Sequence, residues 1–151
     1  MGLINQVFRV RAEAKVAMNS AEAFAAICLV AIASDGYLSE SEEIEMKMRL
    51  SRMKLFQDVV NDRKKGLDRI KDYLIEGLKK YGPNEMVASA RAALPPNLAP
   101  TAFASAVDLV FADGTVSAEE QAFIDDLRRI LEIPDELALK IVEVMTIKNR
   151  G

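Results

Sequence analysis

An all-α fold follows from three observations on the sequence. No stretch alternates apolar and polar residues as a half-buried strand would. Apolar residues recur instead at helical spacing, between Gly, Pro, Ser and Asn punctuation. One short stretch also occurs twice. Ala33-Ser34-Asp35-Gly36-Tyr37-Leu38-Ser39-Glu40-Ser41-Glu42-Glu43 aligns without a gap on Phe111-Ala112-Asp113-Gly114-Thr115-Val116-Ser117-Ala118-Glu119-Glu120-Gln121. Self-similarity of this kind marks a duplicated supersecondary unit. The expectation is a single helical-bundle domain over 1–151, of about seven or eight helices, with a pseudo-twofold internal repeat. The halves run roughly over 20–54 and 98–132.

In chain order, Met1 to about Met18 carries Leu3, Ile4, Val7, Val10, Ala14 and Ala17 near helical spacing. Its basic side, Arg9, Arg11 and Lys15, is too sparse for a membrane-surface helix, so a packed first helix is expected. Asn19 or Ser20 can cap a second helix reaching about Ser34. That helix is apolar on most faces (Phe24, Ile27, Cys28, Leu29, Ile32), which predicts a central position. A third helix, about Glu40 to Lys54, has a stripe of Ile44, Met46, Leu50 and Met53.

Leu55 to Tyr81 reads as one long helix or as two with a break near Gly66. Gly82-Pro83 ends it and starts a shorter helix to about Ala93, Gly serving as C-cap and Pro as first-turn residue. Pro95-Pro96-Asn97 is a connector. A second apolar helix spans about Leu98 to Ala112, with Pro100 in its first turn. The helix after the second turn, about Ala118 to Leu131, carries Phe123, Ile124, Leu127, Ile130 and Leu131 on one side. Pro134 opens the last helix, whose expected stripe is Leu137, Ile141, Val144 and Met145.

The repeated stretch has a local explanation. Asp-Gly forms tight turns, because Gly accepts positive φ and Asp can bond nearby loop amides. Ser39 and Ser117 each precede a glutamate by three positions, Glu42 and Glu120. That is capping-box spacing, in which serine satisfies an orphan amide and glutamate reaches back to the serine amide. Each copy therefore reads helix, turn, capped helix.

Composition excludes several chemistries. The chain holds no histidine and one cysteine, Cys28. Catalytic triads, imidazole metal ligands, cysteine zinc sites and intramolecular disulfides are thereby removed. Cys28 lies in an apolar helical run, which predicts a buried inert thiol rather than a redox one. No phosphate-binding glycine loop or nucleophile beside a base is present, so no enzyme is expected. The longest apolar candidate, Ala23 to Ser34, falls short of a membrane span, and no signal peptide is evident. A cytoplasmic location is the default expectation.

Charge is unevenly placed. The net is −4 over residues 1–46, +6 over 47–107 and −5 over 108–151. The two turns lie in the acidic regions and the connecting helices are basic. The Arg63-Lys64-Lys65 cluster is small and lacks an aromatic platform, so nucleic acid is not expected as a partner.

Two copies of Asp-Gly-x-(Leu/Val)-Ser-x-x-Glu, each after an Ala-rich apolar helix, resemble the tellurite-resistance TerB family. The resemblance covers nearly the whole chain. It implies a non-enzymatic stress-response protein with an acidic metal-binding surface, carried over here to Asp35, Glu42, Asp113 and Glu120. It also implies partners among other tellurite-resistance components, an integral membrane one included. The protein would then sit in the cytoplasm or peripherally on the inner face of the membrane. A homodimer is a further option. An EF-hand is excluded, because its first two ligand positions would fall on Ala31 and Ala33 in one copy and on Leu109 and Phe111 in the other. If the duplicated units pack about a pseudo-twofold axis, the four carboxylates converge and attract a hard divalent cation, Ca²⁺ or Mg²⁺. Turn formation and capping alone also account for these residues. The alternative is therefore a ligand-free helical interaction scaffold, using its basic middle helices or its N-terminal helix as contact surface.

Overall fold

The computed structural model describes residues 15–33, 36–60 and 66–151. Seven α-helices and no strand occur among these residues. They are α1 (Ser20–Ala33), α2 (Glu40–Ser51), α3 (Gln57–Val60), α4 (Gly66–Ala93), α5 (Ala99–Phe111), α6 (Ala118–Ile130) and α7 (Asp135–Lys148). Short 3-10 turns at Lys54–Phe56 and Pro96–Leu98 lead into α3 and α5. The helix expected over Met1 to Met18 lies mostly outside the described residues, as does the Arg63-Lys64-Lys65 cluster.

α1 is the centre of the molecule. Every residue from Ala23 to Ala31 is buried, so it has no solvent face, as its apolar composition requires. It starts in a capping box that the sequence only half disclosed. Asn19 Oδ1 accepts from the Glu22 amide and Glu22 Oε1 accepts from the Asn19 amide, both at 2.8 Å. α4 and α5 both pack on α1, and α6 and α7 pack on α5. Phe56 is fully buried, with its ring edge-on to Phe24 at 6.2 Å and 73°.

α4 is two helices meeting at a corner. Gly82 has φ +86° and ψ 168°, values no L-residue holds easily, and Pro83 starts the second half. The turn brings Met86 back against Gly77, where an added Cβ would stand 3.0 Å from the Met86 sulfur. Upstream, Val16 and Ala17 are tied across α4. The Val16 amide donates to the buried Ser89 hydroxyl at 3.3 Å, and the Tyr73 hydroxyl donates to the Ala17 carbonyl at 2.6 Å.

Two expected stripes are corrected. In α2, Met46 and Leu50 are buried but Ile44 is half exposed, together with Met48. In α7 the inward face is Ala138, Ile141, Val142 and Met145, while Leu137 and Val144 point outward with Leu139 and Ile147. α7 packs chiefly on α5, so only a narrow seam of it faces the core. An apolar helix with one neighbour leaves apolar residues in water. Ile130, placed on the buried side of α6, is likewise at the surface.

Candidate functional site

The two turns share one local geometry. Gly36 and Gly114 have φ +84° and +82°. Their amides bond back to Ala33 and Phe111 carbonyls at 2.9 and 3.0 Å. Both serines form complete capping boxes. Ser39 Oγ accepts from the Glu42 amide at 3.2 Å, and Glu42 Oε1 accepts from the Ser39 amide at 3.0 Å. For Ser117 and Glu120 the distances are 3.0 and 2.9 Å. Asp113 Oδ1 accepts from the Thr115 amide at 3.1 Å, the Asx-turn expected of Asp before Gly.

The helix ends that flank the two turns share a cleft. The end of α1, the start of α2, the end of α5 and the start of α6 border one cleft of about 220 Å³. Ile32, Leu109, Val110 and Ala112 supply its apolar part; Ser41, Glu42, Glu45, Asp113 and Glu120 supply its polar rim. Three of the four sequence-predicted residues, Glu42, Asp113 and Glu120, therefore border the same cleft. Asp35 lies outside the described residues. Each capping glutamate spends Oε1 on the cap, and its Oε2 has no donor among the described residues. Carboxylate oxygens of this kind suit a hard cation. Among the described residues, however, no three or more Asp, Glu or Cys side chains stand close enough together to hold a metal ion.

Glu45 leads from the rim to a cluster that sequence reasoning missed. Its Oε2 accepts from Arg49 Nε at 3.3 Å. Arg49 Nη1 makes an ion pair with Asp108 Oδ2. Lys148 Nζ stands 3.1 Å from both Asp108 oxygens, and Asn149 Nδ2 donates to Oδ1 at 2.9 Å. Asp108 is 9% exposed, so these three residues compensate its desolvation. Burial pushes its carboxyl up, but the Asn149 and Lys148 hydrogen bonds and the Arg49 and Lys148 charges outweigh it, leaving the group below its usual range. The available signal was one acid inside the apolar run Ala102–Phe111, where the first copy has the buried Val30.

A second network binds α2 to α4. Lys71 Nζ reaches Glu43 Oε1 at 2.6 Å, and Lys47 pairs with both Glu43 and Asp68. The Lys71 hydrogen bond holds the Glu43 carboxyl below its usual range. The basic middle of the chain is thus partly spent on intramolecular pairs. Cys28 is fully buried, and burial pushes its thiol up to about 12. It stays protonated and out of reach, as an inert thiol should.

The comparisons with known proteins add one finding. A family model described as "Tellurite resistance protein TerB" matches residues 21–141, from α1 into α7 and across both turns. No curated protein and no solved structure matches the chain.

Proposed function

The chain belongs to the tellurite-resistance TerB family, and from that premise we propose a non-enzymatic stress-response protein that binds a divalent cation at its turns and docks on partner proteins. Its role is of the tellurite-resistance type. The observation that supports the cation reading is that Glu42, Asp113 and Glu120 border the same cleft, from turns that lie far apart in sequence. Folding uses one oxygen of each capping glutamate and leaves the other for a ligand. With only oxygen donors at the rim, Ca²⁺ or Mg²⁺ fits the chemistry better than zinc or copper. The partners on this reading are other tellurite-resistance components, a membrane protein among them, or a second copy of the chain. No helix among the described residues is long and apolar enough to cross a membrane. On this reading the protein sits in the cytoplasm or peripherally on the inner face of the membrane.

Calcium titration followed by amide NMR tests the cation. Shifts centred on Gly36 and Gly114 at millimolar metal are expected, and their absence sinks the reading. One feature favours the ligand-free scaffold instead: Leu137, Val144 and Ile147 are exposed on α7. On that reading partner capture is the same in calcium and in chelator.

A further inference from the structure

We propose that the cleft between the two turns receives one basic side chain of a partner protein, an arginine or lysine carried in an apolar segment. The proposal uses the same cleft as the cation reading but requires no metal.

Three features argue for this occupant. The first is size. Small-molecule sites run from roughly 300 to 1,000 Å³, and the cleft, at about 220 Å³, falls below them. It has room for one side chain rather than a cofactor. The second is the apolar part. Ile32, Leu109, Val110 and Ala112 meet there, and Leu109 and Val110 are buried members of the core. A hydrated divalent ion gains nothing from such a surface, whereas the methylene stem of arginine or lysine does. The third is the rim. Glu42, Glu45, Asp113 and Glu120 ring the cleft, and no basic side chain lines it. Arg49, which meets the rim at Glu45, is also held by Asp108. Apolar stem and acidic rim together match a snorkelling cation. Arginine is the better fit, since its planar fork engages two carboxylates at once.

Such a contact also links the two halves of the family role. A partner's arginine and a divalent cation would compete for the same oxygens, so metal would release the partner.

The test uses the isotope-labelled full chain in chelator and three short peptides. One is acetyl-Gly-Leu-Arg-Leu-Gly-amide. The second replaces both leucines by serine, and the third replaces arginine by neutral citrulline. The first should shift the amides of Ile32, Leu109, Val110 and Ala112. The two controls should bind on the order of tenfold more weakly, the equivalent of about 1.4 kcal/mol. The double variant Glu42→Gln with Glu120→Gln keeps both capping boxes, because glutamine serves in that position. It should weaken the first peptide about fivefold while circular dichroism stays unchanged. Asp113→Asn alone, which keeps its acceptor oxygen, gives the same direction should the double variant fail to fold. Equal binding of the serine or citrulline peptide, or shifts confined to other surfaces, overturns the proposal. So does silence at several millimolar peptide. Calcium shifts without peptide shifts would reject this proposal and keep the cation reading; peptide shifts without calcium shifts would do the reverse.

Discussion

Lys148 Nζ stands 3.1 Å from both carboxylate oxygens of Asp108, a residue forty positions earlier. The contact fastens the last turn of α7 to α5, and through Arg49 it also reaches α2. Removing the carboxylate leaves the partly buried Arg49 guanidinium with only the half-exposed Glu45 as a partner. Asp108→Ala should cost about 2–3 kcal/mol, below the full value for a buried pair because Lys148 is half in water. The melting temperature should fall by roughly 5–10 °C in a chain of this size. Lys148→Ala should cost under about 1 kcal/mol, since Asn149 and Arg49 remain.

Acid should destabilise the fold through the same group and through Glu43. Both carboxyls titrate below their usual values when folded. The unfolded chain therefore binds more protons in the acid range, and stability rises with pH there. The contribution is complete above the unfolded values, 4.5 for Glu43 and 3.8 for Asp108, and drains away as pH falls through the lower folded values. Melting temperatures from neutral pH down to about 3 should show a steep acid limb. Glu43→Gln and Asp108→Asn should each flatten it, and an unchanged limb would contradict the pairing.

The two capping serines should behave as equals. Ser39→Ala and Ser117→Ala each remove the acceptor for one helix amide, at about 1 kcal/mol apiece. Urea unfolding should place the double variant near the sum of the singles, because the caps belong to different helices.

Gly82→Ala should destabilise by about 1–3 kcal/mol although the position is open. Nothing lies within 4 Å of an added Cβ, so the cost comes from the backbone conformation alone. Replacement of Lys80 by Ala, two positions earlier, should be nearly neutral by the same assay.

Cys28 should resist thiol reagents in the folded protein and react at the rate of global opening. It is fully buried with its thiol pushed up to about 12. Labelling that is fast at neutral pH in the absence of denaturant would refute its place in α1.

The elements whose local chemistry is self-contained were readable in the sequence. The capping boxes at Ser39 and Ser117, the corner at Gly82-Pro83 and the burial of α1 each depend on residues within a few positions of one another. What could not be read depends on partners far along the chain. Leu137 and Val144 sit at helical spacing, but only the position of α5 decides which side of α7 faces inward. Nothing local to Asp108 reveals its partners, because Arg49, Lys148 and Asn149 reach it from distant parts of the chain. Glu42, Asp113 and Glu120 come to border one cleft only through the packing of α1, α2, α5 and α6, which no local spacing reveals.

The depth of Cys28 has a practical use. Because the chain's sole sulfhydryl is sealed inside α1, newly introduced surface cysteines can be labelled without first removing it. Spin labels attached through Glu40→Cys and Glu119→Cys, one beside each corner and neither lining the cleft, would act as a ruler across the gap. Their separation, read with and without calcium or a basic peptide, would report directly whether the two corners draw together around a guest.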